Sequence, residues 1–181
     1  AGPVLAAAVV LDPAAVPDGL TDSKTLPAAR RETLAEALAG SARIAIGRAG
    51  VAEIDRLNIL RAGDLAMARA LAALAESEAL AGALVDGNRV PGGLPCPAEA
   101  LVGGDGLEAA IAAASIVAKV ARDRIMAGLA ERHPGYGWER NMGYGTAEHR
   151  AALARLGISP QHRRSFRPIH NILCEEPPTT S

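Results

Sequence analysis

Residues 83–123 read ALVDGNRVPGGLPCPAEALVGGDGLEAAIAAASIVAKVARD. Ala83-Leu84-Val85 predicts a short buried strand that runs into Asp86-Gly87-Asn88, and Pro91–Pro97 a loop. Ala98–Val102 predicts a second short strand. Beyond it Leu107, Ile111, Ala114, Ala118, Ala121, Ile125 and Leu129 step by three and four, the period of one long helix. Strands alternating with helices point to an α/β sandwich. In such sheets ligands gather beyond the carboxyl ends of parallel strands, and Asp86 stands at a strand end.

Working towards the start, Val4–Leu11 is a nearly continuous apolar run closed by Asp12-Pro13, a buried strand. Pro27 is expected as the first residue of a helix with Leu34, Ala37 and Leu38 on one face, and Gly40 as its stop. Ala42–Arg48 alternates as a strand. From Val51 to Glu78 the apolar spacing favours one long helix or two joined ones. Towards the end, a Gly/Tyr-rich loop over His133–Gly145 leads to a helix near Glu148–Leu156, and the tail Glu175–Ser181 reads as disordered. No repeat or long linker divides the 181 residues, so a single domain is expected.

Hydrophobic residues make up 49% of the chain and aromatic ones 2%, so the core must be aliphatic and rich in alanine, whose small side chain lets helices approach a sheet closely. Cys96 and Cys174 are far apart and share no CxxC spacing, which reads as a reduced, cytoplasmic protein. No apolar run reaches the roughly 18 residues of a membrane helix. Ala1–Leu11 lacks the basic region and cleavage site of a signal peptide. The chain opens directly on a strand without an initiator Met, which reads as truncation. The net charge of −1 hides an asymmetry: Lys119 to His170 holds ten Lys/Arg against four Asp/Glu, leaving nine against sixteen elsewhere. A basic lobe beside an acidic one suits a nucleic-acid groove next to a metal-binding carboxylate cluster, and a solvated arginine-rich surface explains it as well.

Asp86 suits a metal ligand held on a rigid strand, with Gly87 leaving room for a ligand; Asp-Gly is equally a common hairpin turn. Asp105 opens the long helix, where with Glu108 it forms a variant capping box, a role compatible with binding a cation through its second oxygen. Ser115, Lys119, Arg122 and Asp123 form a polar stripe that suits either a phosphate backbone or a surface ion pair. His133, His149, His162 and His170 have no zinc-ligand spacing. Oxygen donors alone at Asp86 and Asp105 favour a hard cation, Mg²⁺ or Mn²⁺. No P-loop, GxGxxG or GxSxG pattern is present.

Taken together, the motifs resemble ribonuclease HII. They are Ala1-Gly2-Pro3-Val4 with Ala7-Ala8-Val9-Val10; Leu20-Thr21-Asp22-Ser23-Lys24-Thr25-Leu26; Ile54-Asp55-Arg56-Leu57-Asn58-Ile59-Leu60; Val85-Asp86-Gly87-Asn88; Gly104-Asp105 leading into Ile111 to Asp123; Asn141-Met142-Gly143-Tyr144-Gly145-Thr146; and His162-Arg163-Arg164-Ser165-Phe166. They stand in the family's order over nearly the whole chain, and that ordered series overrides the local alternatives at Asp86 and Asp105.

The resemblance implies a ribonuclease-H-like α/β fold, a mixed sheet flanked by helices, with a helical C-terminal extension over about 146–174. It implies hydrolysis of the RNA strand of RNA/DNA hybrids and incision 5′ of single ribonucleotides in duplex DNA, aided by two divalent cations, Mn²⁺ or Mg²⁺. Asp86 and Asp105 match metal-ligating carboxylates. Tyr144 matches the tyrosine that reads the RNA-to-DNA junction, and Lys24 a phosphate-contacting lysine. Lys119, Arg163 and Ser165 are further substrate-binding candidates. The expected partner is RNA/DNA hybrid or ribonucleotide-containing duplex, with no membrane and a monomeric protein. One departure is serious. The family's first strand, with adjacent Asp and Glu ligands and a Gly-Arg-Gly loop, has no counterpart here. Its place would be between Val4–Leu11 and the strand ending at Asp86, so an apolar slot edged by unpaired backbone is expected there. Two functional classes follow: a fragment of the endonuclease, inactive as it stands, or a non-catalytic binding module that keeps the basic lobe. An enzyme acting on small phosphorylated molecules is disfavoured, because no phosphate-cradling loop is present.

Overall fold

The computed structural model describes residues 1–174, so the expectation for the tail at 175–181 lies outside the described residues. The order is β1 (Val4–Leu11), α1 (Ala28–Ser41), β2 (Ala42–Ala49), α2 (Val51–Leu57), α3 (Ile59–Ala75), β3 (Ala83–Asp86), β4 (Ala98–Leu101), α4 (Gly104–Leu107), α5 (Ala109–Arg132), α6 (Trp138–Asn141), α7 (Ala147–Leu156) and α8 (Arg167–Cys174). The chain divides into two compact units, one of Leu5–Arg48 with Gly63–Arg122, the other of Ala1–Val4, Ala49–Ala62 and Asp123 onwards.

Several boundaries differ from the sequence expectation, each for a local reason. Pro27 is the N-cap of α1, with ψ at 151°, and not its first helical residue. Gly40 does not stop α1, which runs on to Ser41 and passes directly into β2 at an extended Ala42. Of the two readings left open after Val51, the structure takes the second, two helices divided at Asn58, where φ is +69°. The Asn58 side chain accepts from the N–H groups of Leu60 and Arg61 at 3.0 and 3.1 Å, capping α3. The long helix is interrupted as well. Glu108 is extended between α4 and α5, and Leu107 is 70% exposed, so the buried stripe begins at Ile111.

In the unit of Leu5–Arg48 and Gly63–Arg122, β1 pairs with β2, and alternation decides what each face meets. Ala7, Val9 and Leu11 of β1, with Ala42 and Ile44 of β2, pack on Leu38 of α1 and on Ala113 and Val117 of α5. Ala8 and Ala45 face the other way, onto Ala70, Leu71 and Leu74 of α3. Fully burying a side chain such as Leu38 or Val117 contributes about 1.5–3 kcal/mol. The close approach of β2 to α3 requires glycine: a Cβ on Gly47 would stand 1.9 Å from the Ala66 carbonyl oxygen.

The sheet is open between its two pairs. β3 pairs with β4, and β1 with β2, and among the described residues neither β1 nor β3 has a second strand neighbour. A cavity of about 360 Å³ separates them, walled by residues 6–10 and 82–86, with Leu71, Leu74, Ile111 and Ser115 closing its sides. It lies where the resemblance places the absent strand. Ser115 Oγ, on its wall, is buried without a hydrogen-bond partner.

In the other unit the core departs from the purely aliphatic expectation by holding two aromatic rings, Tyr136 and Trp138. Trp138 is fully buried and stacks on Tyr136 with ring centroids 5.0 Å apart, among Met126, Leu129, Leu153 and Ile169.

Candidate active site and nucleic-acid surface

Backbone geometry excludes the hairpin turn at Asp86 and the helix cap at Asp105. β3 and β4 run parallel, Ala83 opposite Ala98 and Asp86 opposite Leu101, so Asp86-Gly87 is not a hairpin turn. Gly87 leaves the strand with φ at +119°, a conformation side chains disfavour, while its N–H still donates to Leu101 C=O at 3.0 Å. Asp105 does not cap a helix. The N-cap of α4 is Gly103, at φ +68°, and Asp105 lies inside the turn, with no side-chain cap bond.

That short turn brings the backbone just before Asp105 to the end of β3. A Cβ on Gly104 would meet Ile111 Cδ1 at 2.5 Å, so a larger residue would have to push the end of the Ile111 side chain aside. The Gly104 N–H then donates to Asp86 Oδ1 at 3.1 Å, putting Asp86 beside the residue that precedes Asp105. Asp105 Oδ2 has Lys24 Nζ at 3.6 Å. Lys24 is presented by a turn in which Asp22 Oδ1 accepts the Lys24 N–H at 2.9 Å and Asp22 C=O accepts the Thr25 hydroxyl at 2.7 Å. From α1, Arg31 donates to Ser23 C=O at 3.1 Å and holds the loop. Lys119, on α5 in the same unit, is half-buried.

The donor set fits a hard cation in kind but not in number. Asp86 and Asp105 supply carboxylate oxygens, yet among the described residues no group of three or more His, Cys, Asp or Glu side chains converges. Sequence reasoning missed Asp64, 9% exposed and ion-paired with Arg89, which pins the loop that leaves β3. The partners are 25 residues apart, and no local pattern joins them.

Tyr144, Arg163 and Ser165 fall in the other unit. Tyr144 is 57% exposed, while its backbone is held: its N–H donates to Asn141 C=O at 2.9 Å and its C=O accepts from Thr146 N–H at 2.8 Å. The preceding Met142 and Gly143 both have positive φ, and Gly143 N–H donates to Asn141 Oδ1 at 2.9 Å. Arg163 turns inward, its Nε donating to Gly2 C=O at 2.8 Å and its guanidinium lying 5.3 Å from the Phe166 ring centre. Ser165 gives both its N–H and its hydroxyl to Asp55 Oδ1, each at 2.8 Å. Burial acts to raise the Asp55 carboxyl, but the hydrogen bonds from Ser165, with help from Arg164, outweigh it and hold Asp55 below the usual carboxylate range. Cys96 and Cys174 are free thiols, and no described helix is long and apolar enough to cross a membrane.

Comparison with known proteins identifies the family. The family model for ribonuclease HII matches residues 1–169. The chain is 61% identical over 176 residues to the ribonuclease HII of Ruegeria pomeroyi, covering 97% of this chain and 74% of that protein. It is 58% identical over 180 residues to that of Paracoccus denitrificans, covering 99% and 85%. Among solved structures, a chain of the PCNA:RNase HII complex from Archaeoglobus fulgidus superposes with a TM-score of 0.73 at 26% identity, covering 94% of this chain and 89% of that one. Ribonuclease H2 from Pyrococcus horikoshii has the same fold, with a TM-score of 0.69 at 23% identity, covering 94% and 92%. The chain belongs to the ribonuclease HII family of hydrolytic endoribonucleases.

Proposed function

We propose that the protein hydrolyses the RNA strand of RNA/DNA hybrids and incises duplex DNA 5′ of single ribonucleotides, leaving 3′-hydroxyl and 5′-phosphate ends. The observation that carries this reading is the convergence at the end of β3, where Asp86 Oδ1 accepts from Gly104 N–H beside Asp105. Asp86 and Asp105 would hold Mg²⁺ or Mn²⁺. The chemistry two such cations supply when bound is activation of the attacking water and stabilisation of the leaving 3′-oxygen in an in-line displacement. The protein's own residues position the strand. Lys24, at 79% side-chain exposure beside Asp105, is placed to take a phosphate, with Lys119 a further candidate in the same unit and Ser165 and Arg163 candidates in the other. Tyr144 presents an exposed ring for the sugar after the ribonucleotide.

Residues 1–181 by themselves do not turn over in this reading. Two carboxylates leave a cation's shell incomplete, and the open strand edges of β1 and β3 leave the sheet unclosed beside it. For these residues alone the non-catalytic reading applies, a module that binds hybrid through its basic lobe. The test compares residues 1–181 with the full gene product on a duplex carrying one ribonucleotide, with Mn²⁺, Mg²⁺ or chelator. The expected result is metal-dependent incision 5′ of the ribonucleotide by the full product and binding without cleavage by residues 1–181. Cleavage by the short form would overturn the inactivity, and loss of metal dependence the assignment to Asp86 and Asp105.

A further inference from the structure

Beneath the loop that carries Tyr144, two histidines are buried against each other. His149 and His162 are 3% and 2% exposed, with their Nε2 atoms 3.0 Å apart. Counting donors fixes both tautomers. The backbone N–H of Ser159 can only donate, and it meets His162 Nδ1 at 2.9 Å, so Nδ1 is the acceptor and Nε2 carries the proton. That Nε2–H points at His149 Nε2, which also receives the indole N–H of Trp138 at 3.1 Å. With two donors arriving, His149 Nε2 must be bare. The His149 proton therefore sits on Nδ1, which faces the Tyr144 carbonyl at 2.9 Å.

The chain of donation runs in one direction, from Ser159 through His162 and His149 to the backbone of Tyr144. We propose that His149 is a positioning residue for Tyr144: its Nδ1–H, held in that tautomer by Trp138 and His162, fixes the Tyr144 carbonyl and with it the presentation of the exposed ring to nucleic acid. The inference rests on the junction-reading role proposed above for Tyr144. Its physical basis is that a carbonyl held by both Thr146 N–H and His149 Nδ1–H cannot rotate, while Asn141 C=O holds the N–H of the same residue. Its neighbours in the loop are held by other groups, Gly143 N–H by Asn141 Oδ1 at 2.9 Å and Gly145 C=O by Arg150 at 2.8 Å, so His149 is the side chain that acts on Tyr144 C=O itself. Thr146 Oγ1 accepts the His149 N–H at 3.2 Å, so the first turn of α7 and the Tyr144 loop are tied by the same residue.

Two substitutions separate the two nitrogens. In His149→Asn the amide N–H₂ falls where Nδ1 stands and keeps a donor for Tyr144. In His149→Gln the amide reaches the Nε2 position, keeps an acceptor for Trp138 and His162, and leaves the Tyr144 carbonyl without its donor. The experiment uses the full gene product. Imidazole ¹⁵N spectra of the unaltered protein are expected to show His149 protonated at Nδ1 alone and His162 at Nε2 alone; a protonated His149 Nε2 overturns the proposal without any variant. The ratio of kcat/KM on a single-ribonucleotide duplex to that on a long RNA/DNA hybrid is expected to fall about fivefold in His149→Gln, the effect of one ordinary hydrogen bond, and to stay near the original in His149→Asn. If Tyr144→Ala lowers the ratio and His149→Gln does not, His149 positions nothing. If Tyr144→Ala itself leaves the ratio unchanged, the junction-reading role fails, and the backbone amide resonances of Tyr144 and Gly145 decide the positioning claim. A shift in His149→Gln but not in His149→Asn supports it, and no shift overturns it.

Discussion

The two units of this protein solve the same packing problem with different chemistry. Around Asp86 and Asp105 the core is aliphatic: Leu38, Ala70, Leu74, Ala113 and Val117 pack without a hydrogen bond between their side chains. Around Tyr144 the core holds Trp138, Tyr136, His149 and His162, joined ring to ring and donor to acceptor. Every aromatic residue of the chain, Tyr136, Trp138, Tyr144 and Phe166, and all four histidines lie beyond Asp123. The aliphatic unit uses a non-directional force that is proportional to area and tolerates an open slot beside it. The aromatic unit uses directional bonds, each of which prescribes the protonation of the next group. Charge is therefore free to gather at the first unit's exposed strand end, whereas the second must stay neutral inside.

The comparison can be broken at several points. The largest effect is expected for Asp86→Asn in the full gene product. If Asp86 holds metal as proposed, losing its carboxylate should remove several kcal/mol of transition-state stabilisation, on the order of a thousandfold in turnover. Hybrid binding should be nearly unchanged, and the check is single-turnover cleavage beside an equilibrium binding titration. A comparable loss in both would make Asp86 a binding residue.

Leu38→Ala probes the aliphatic unit. The residue is fully buried between β1 and α5, and the cavity left should cost about 2–5 kcal/mol in denaturant unfolding, with no change in the acid sensitivity of the protein.

The aromatic unit should instead be sensitive to acid. Burial pushes the His162 imidazole down to about 4, and the charge of His149 acts in the same direction. His149 is lowered too, chiefly by burial, against its hydrogen bond to Tyr144 and the charge of Glu148. His133 also faces the pair. The unfolded chain takes up protons near 6.5 and the folded one only near 4. Stability is thus complete above about 6.5 and is lost as pH falls towards 4. Protonation of His149 would set three N–H groups, its own and those of Trp138 and His162, against one another. Melting temperature followed from pH 7 to 4 should fall, and His162→Phe should flatten that slope; an unchanged slope would place the acid sensitivity elsewhere.

The smallest effect is expected at the surface. Tyr144→Ala should lower cleavage at a single ribonucleotide by roughly five- to tenfold relative to a long hybrid, the scale of a lost aromatic stacking contact, with little change in melting temperature. Equal losses on both substrates would remove Tyr144 from junction reading.

The amino-acid sequence by itself determined the elements and the family. β1 and β3 begin at Val4 and Ala83 as read, because an apolar run is visible within a few residues, although the expected burial is incomplete, with Val10 37% and Leu84 48% exposed. The ordered motifs around Lys24, Asp86, Asp105, Tyr144 and His162 were legible for the same reason. Breaks were less so: two joined helices after Val51 were foreseen but not their division at Asn58, Glu108 divides the predicted long helix through an extended backbone, and Gly40 lacks the left-handed conformation that would have ended α1. The parallel pairing that excludes a hairpin at Asp86-Gly87, and the gap between β1 and β3, are relations between strands that no single strand encodes. Asp55 meets Ser165 across 110 positions, and Arg163 meets Gly2 across 161. The four histidines, without metal-ligand spacing in sequence, yield a bonded pair only once α7 lies against the Ser159–His162 turn. Local steric rules act over one or two turns of chain; which donor finds which acceptor across a hundred residues is decided by the packing that removes both from water.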